Sequence, residues 1–174
     1  MPIRRDSRCG FFLLFILAGT VIAGSYAEAA SRRMLANYVD WYAYAEKDRR
    51  GKICYVEADP RKERGRYKRR GDAYIQVIYN PKSGREDVAV IAGYKYKRRS
   101  PVRVKIGPRR FRLRPSGDTA WTDRRKNPQR LVRAMRKGKR MVIRGVSSRG
   151  TLTVDTYSLI GFTDALRAAR RSCR

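Results

Sequence analysis

Histidine is absent from this 174-residue chain, and only three cysteines occur in it. Without histidine there is no Ser-His-Asp or Cys-His nucleophile arrangement, no HExxH zinc site, and no side chain whose unperturbed pKa suits a general base near neutrality. Structural zinc asks for four Cys or His ligands, which the chain cannot supply. Carboxylates are scarce as well. Fifteen Asp and Glu stand against 43 Lys and Arg, a net charge of +28, and they are scattered with no EF-hand spacing. None of the 14 glycines falls in a GxxxxGKS/T or GxGxxG pattern, so no nucleotide motif is present. No enzymatic activity, metal or cofactor is expected. The chain still has the means to fold: 42% of its residues are hydrophobic, enough for a core, and its length suits one domain.

The apolar stretches are short, and the first reads as an export signal. Arg4, Arg5 and Arg8 form a positive n-region, Phe11 to Gly24 (FFLLFILAGTVIAG) is uncharged, and Ala27-Glu28-Ala29 places small residues at −3 and −1. Ser25-Tyr26-Ala27 offers a second cleavage site. A spanning helix needs roughly 20 apolar residues, so the segment 1–29 is read as a cleaved signal peptide rather than a retained anchor. The expected location is the periplasm or the cell exterior. Cys9 leaves with the signal, and Cys54 and Cys173 remain. In an oxidising compartment these read as one disulfide, the alternative being two unpaired buried thiols. Such a bridge would close a loop of about 120 residues, worth about 4.7 kcal/mol in the chain-entropy account.

Beyond the signal, residues 30–37 read as a loose segment and residues 38–174 as one β-rich domain. Tyr38 to Ala45 (YVDWYAYA) alternates, with Val39, Trp41, Ala43 and Ala45 on one face. Lys52 to Ala58 (KICYVEA) is a second strand, closed by Asp59-Pro60. Tyr74 to Tyr79 (YIQVIY) is followed by a turn at Asn80 to Gly84, then by Val88 to Tyr96 with Gly93 as a bulge. Lys139 to Gly145 and Thr151 to Leu159 read as a hairpin. Asn127-Pro128 caps a short helix that Gly138 ends, and Thr163-Asp164 opens another, with Leu166, Ala169 and Cys173 on one face. About eight strands without βαβ alternation point to an antiparallel β-sandwich or barrel with two short helices. Trp41 and Trp121 are expected in the core.

The sharpest pattern is Val102 to Arg114 (VRVKIGPRRFRLR). Val102, Val104 and Ile106 alternate with Arg103 and Lys105. After the Gly107-Pro108 turn, Phe111 and Leu113 alternate with Arg110, Arg112 and Arg114. Successive strand residues point to opposite faces, so one face is apolar and the other carries five positive charges. Lys95 and Lys97 add to this basic set, and further clusters occur at Arg61 to Arg70, Arg124-Arg125-Lys126 and Arg136 to Arg140.

An ordered set of residues carries a family likeness: Trp41, Cys54-Tyr55, Arg70-Gly71-Asp72, Ala92-Gly93-Tyr94, Ala120-Trp121 and Met135 to Gly138. It continues through Met141 to Thr151, Asp155 to Leu159 and Gly161-Phe162. Together these resemble the invasion-associated locus B family of alphaproteobacterial exported proteins, over roughly Tyr38 to Cys173, with Ser147 to Phe162 the most specific block. The resemblance implies a β-rich envelope or secreted protein, linked in some pathogens to entry into host cells, and it brings no catalytic motif. Better-known members carry more cysteines, including a closely spaced later pair, which places this chain in a divergent branch.

Positive charge remains as the functional signal. Arginine outnumbers lysine 32 to 11, and its planar fork grips phosphate, sulfate or carboxylate through paired hydrogen bonds. Crowded charge of one sign destabilises a small fold, and a bound polyanion relieves that while releasing counterions. Outside the cytosol the expected partners are anionic glycans, lipid head groups or a host surface, held by Arg103, Lys105, Arg110, Arg112, Arg114, Lys95 and Lys97. The alternatives are a nucleic-acid binder stacking bases on Tyr67, Tyr94 and Tyr96, and a weak hydrolase of envelope polymers. The latter would draw a pair from Asp87, Asp118, Asp123 and Asp155, or use Ser147 or Ser148.

Overall fold

Period-two alternation of β-branched and aromatic side chains against charged ones carries most of this chain into extended backbone. The computed structural model describes residues 31–48, 51–123 and 129–173. The signal segment with its cleavage sites, the Arg124-Arg125-Lys126 cluster and the Asn127-Pro128 cap lie outside the described residues.

Eleven strands occur among the described residues: β1 (Ser31–Tyr38), β2 (Trp41–Asp48), β3 (Gly51–Ala58), β4 (Lys62–Gly65), β5 (Tyr74–Asn80) and β6 (Arg85–Ile91), then β7 (Val102–Ile106), β8 (Arg109–Ser116), β9 (Thr119–Trp121), β10 (Arg140–Val146) and β11 (Leu152–Ser158). Helix α1 (Gln129–Lys137) precedes β10, and α2 (Phe162–Ser172) closes the chain. All pairings between strands are antiparallel, in the order β1-β2-β3-β5-β6-β9-β8-β7-β10-β11-β4. The sheet does not close, which gives a sandwich-like β fold.

Strand β8 makes the corner. Its first half, Arg109 to Leu113, pairs with β7, and its last residues, Arg114 to Ser116, pair with β9. A strand that changes partners at a bend lets one sheet continue into a second that packs over it. The core is a single cluster that includes Trp41, Val56, Ile75, Val90, Leu113, Met141, Ile143 and Tyr157 from both halves. Trp41 ties them: it is fully buried, its indole N–H donates to the Ser158 carbonyl at 3.0 Å, and its ring lies 4.8 Å from that of Phe162. Helix α2 packs on β1, β2 and β3, with Ala165, Leu166 and Ala169 buried. Its far end is clasped by the Cys54–Cys173 disulfide, with Cα atoms 5.9 Å apart.

Several sequence expectations shift. Residues 31–37, read as loose, form β1 together with Tyr38, because the Val39-Asp40 turn folds them onto β2. Val39 sits in that turn at φ 57°, 68% exposed, so it leaves the face on which Trp41, Ala43 and Ala45 are buried. The strand expected over Val88 to Tyr96 stops at Ile91: Gly93 adopts φ 69° and its carbonyl accepts the Gly71 N–H. Trp121 is 40% exposed on the three-residue β9 and lies outside the core. Helix α2 is capped by Gly161 in the left-handed region, not by Thr163-Asp164. Strands β1, β4 and β9 bring the count from about eight to eleven. Lys62–Gly65 is wholly exposed and charged, so it carries no alternation for sequence reasoning to detect.

Candidate functional site

Register converts the basic strands into a grid. Arg103 on β7 stands opposite Arg112 on β8 and, on its other side, opposite Arg144 on β10. Lys105 stands between Arg110 and Val142 in the same way. The rows continue through Val154 to Arg64 and through Thr156 to Lys62 on β4. Residues directly opposed across antiparallel strands share a face about 5 Å apart, and the next on that face along a strand is about 7 Å away. One outer face therefore carries Arg110, Arg112, Arg103, Lys105, Arg144, Lys62 and Arg64, all exposed. Val142 and Val154 lie half-buried at its centre. Glu63 and Asp155 oppose each other on the other face.

Arg114 belongs to this face too, but it is paired with Asp123 at 2.9 Å. Lys97 donates its backbone N–H to Val146 and Lys95 accepts from Ser148, so both lysines extend the edge of β10 that β7 occupies lower down. Both are exposed on either side of the buried Tyr96. All seven residues expected from the sequence thus fall on or beside one surface. A groove of about 1100 Å³ runs over it, lined by Arg103, Lys105, Arg110, Arg112, Arg140 and Arg144, with Asp123 as its one carboxylate among the described residues, and flanked by Arg130 of α1. Arg144 and Arg130 were not among the residues expected here, and Lys62, Arg64 and Arg140, read as members of separate basic clusters, were not assigned to this face. Their signal, a charge in an alternating strand, was present in RMVIRGV, but which strand neighbours β7 is not a local property.

Arg70 behaves in the opposite way. The sequence placed it in the basic cluster from Arg61, yet its side chain is only 3% exposed. It forms a forked pair with Asp155 at 2.7 and 2.6 Å, adds Glu63 at 2.8 Å, and donates Nε–H to the Ala92 carbonyl at 2.7 Å. The Tyr67 and Tyr94 rings lie within 5.5 Å of the guanidinium. Burial alone would lower its pKa, but the hydrogen bonds and charge of Asp155 prevail and raise it above the ordinary range. The backbone is tight here. Gly71 N–H donates to the Gly93 carbonyl, and a Cβ on Gly93 would lie 2.0 Å from the Gly71 oxygen. A Cβ on Gly145 would lie 2.6 Å from the Tyr96 ring. Arg70, Gly93, Tyr94, Gly145 and Asp155, members of the residue set behind the family likeness, thus converge on one buried ion pair and its packing.

Tyr94 and Tyr96 are engaged inside the fold. Their rings meet edge-on at 5.3 Å, the Tyr94 hydroxyl bonds Thr153 at 2.6 Å, and Tyr96 is 5% exposed. Of the three tyrosines named for base stacking, Tyr96 is buried, Tyr94 is half-buried, and Tyr67 is exposed. The four carboxylates considered for hydrolysis have other places. Asp155 holds Arg70, Asp123 pairs with Arg114, Asp118 accepts from Thr119, and Asp87 opposes Ile78 on β6. Ser147 is buried, and its Oγ accepts the Thr151 N–H to close the β10–β11 turn. Among the described residues no group of three or more Cys, Asp or Glu converges as a metal site.

The family model for invasion associated locus B (IalB) protein matches residues 41–170, about three quarters of the chain. The span runs from the buried Trp41 into α2 and takes in both the basic face and the Arg70 network. No curated protein and no solved structure matches.

Proposed function

Because the chain belongs to the invasion associated locus B family, which suggests an invasion-associated envelope protein, we propose that it is noncatalytic, exported, and docks onto polyanions through the β8–β7–β10 face. The observation that carries this reading is the row Arg112–Arg103–Arg144, three guanidinium groups set side by side with no carboxylate on that face of the row. Like charges held directly opposite destabilise a sheet, and an anionic chain laid across them removes the repulsion. The charge-free Val142 and Val154 at the centre, with α1 along one side, favour an extended sulfated or phosphorylated glycan lying in the groove. The export signal supports such a partner, since anionic glycans and lipid phosphates are what an envelope protein meets.

The test is retention of the mature protein on immobilised heparin and on lipopolysaccharide across a salt series. Reversing Arg103, Arg112 and Arg144 to Glu lowers the eluting salt well beyond the effect of reversing Arg33, Lys82 and Arg85, which are exposed at distant positions. Equal losses would mean that net charge alone governs retention, and the reading fails. Stronger retention on single-stranded nucleic acid than on heparin, at matched salt, would overturn the glycan assignment.

A further inference from the structure

A second concentration of arginine lies away from the sheet face, where α1 meets α2. Arg136 from the last turn of α1 and Thr163, Arg167, Arg170 and Arg171 from α2 line a cavity of about 330 Å³. At this junction Glu86 of β6 is completely buried. Arg170 is ion-paired to it, and Arg136 stands 3.9 Å from the same Oε1. Two cations thus share one carboxylate oxygen. Arg167 is paired with Asp164 at 2.9 Å on the exposed side, and Arg170 also lies 5.4 Å from the Tyr79 ring of β5.

Among the described residues, four guanidinium groups against two carboxylates leave two positive charges around one small cavity. The crowding has a measurable consequence: burial, then the charge of Arg170, hold Arg136 below the usual guanidinium range, with Glu86 opposing and Arg167 adding to the fall. Nε of Arg170 and Oε2 of Glu86 are both buried without a hydrogen-bond partner among the described residues. Positive charge therefore exceeds negative charge at this junction, and one arginine N–H lacks an acceptor. A tetrahedral dianion answers both deficits, because its oxygens accept from several planar forks at once.

We propose that this cavity binds one phosphomonoester dianion, with Arg136, Arg167 and Arg171 as the gripping side chains and Thr163 as a hydroxyl partner. Arg170 is held by Glu86 as the rear wall. The site is separate from the sheet face: that face suits an extended chain, whereas this cavity takes a single terminal group. The two share no residue, so either can fail alone.

Calorimetric titration of the mature protein with inorganic phosphate at constant ionic strength gives one saturable site. Its affinity falls as acidification restores the second proton of inorganic phosphate, while sulfate, dianionic throughout, keeps its affinity. R167Q and R171Q, at exposed positions that leave the Glu86 pair intact, each lose about tenfold in affinity, as expected for one charge-assisted contact. R103E with R112E leaves it unchanged. A lipid arm uses phosphatidylcholine vesicles with and without phosphatidic acid, and binding confined to that arm, with the same dependence on Arg167 and Arg171, assigns the phosphate to a lipid head group. Saturable binding of free phosphate assigns it to a soluble monoester. Binding in neither arm, or an equal loss on reversing Arg103 and Arg112, overturns the proposal.

Discussion

Arg103 faces Arg112 directly across the β7–β8 ladder, and neither is in an ion pair among the described residues. Like charges so placed cost about 0.2–1 kcal/mol. Arg112→Thr should therefore raise stability at low salt, and the gain should vanish near 1 M salt as screening shortens to about 3 Å. Denaturant midpoints at the two salt levels check this. The same variant should bind heparin less tightly, so stability and binding move in opposite directions.

Arg70 and Asp155 are both nearly inaccessible and joined by two hydrogen bonds. Removing one partner strands the other charge in the interior. Arg70→Met should destabilise by about 3–5 kcal/mol, and Arg70→Met combined with Asp155→Leu should cost markedly less. A double-mutant cycle from urea unfolding measures the coupling; simple additivity would contradict the burial of the pair.

Reduction of Cys54–Cys173 should release α2 from β3 before the sheet opens, because the bridge sits at the end of that helix. Cys173→Ala should lower stability by about 2–5 kcal/mol. Hydrogen exchange should speed first at Phe162 to Ser172, with the β10–β11 amides protected until global unfolding.

Two glycines separate conformational strain from steric exclusion. Gly84 is left-handed at φ 64° with open space around its absent Cβ, so Gly84→Ala should cost about 1–2 kcal/mol. Gly93 is left-handed as well, and its Cβ would overlap the Gly71 carbonyl. Gly93→Ala should cost clearly more, and equal losses would show that the Gly71–Gly93 approach is looser than described.

Burial pushes the Tyr55 phenol up to about 12, with Arg32 opposing and the Glu46 and Glu57 charges adding to the rise. The folded value lies above the ordinary tyrosine value of 10.0. The neutral phenol's contribution is therefore complete below pH 10 and lost as pH climbs toward about 12. Burial also raises Tyr74, Tyr94, Tyr96 and Tyr157, so Tyr55→Phe should remove one of several late-ionising tyrosines from an ultraviolet titration, together with its share of the alkaline loss of stability.

How much of this was legible beforehand differs from residue to residue. Val102 to Arg114 could be read as a hairpin with one apolar and one basic face, because alternation and the Gly107 turn are properties of adjacent residues. Leu166, Ala169 and Cys173 declared a buried helix stripe by their spacing, and the two cysteines outside the expected signal segment read as one disulfide. Lys62–Gly65 could not be read as a strand, since its pairing with β11 is made by backbone groups that leave no pattern in four charged or small residues. Arg70 could not be told from Arg69, though one is buried on Asp155 and the other is not.

The sequence by itself determined the β class, the turn positions, the basic alternation and the excess of arginine, all of which follow from local periodicity and composition. Only the tertiary structure decided which arginines are neutralised and which stay exposed without a paired carboxylate. That choice depends on which distant strand supplies a carboxylate, as β11 does for Arg70, and which supplies a second cation, as β10 does for Arg103. Strand register over long separations sets it, and no window of neighbouring residues contains that information.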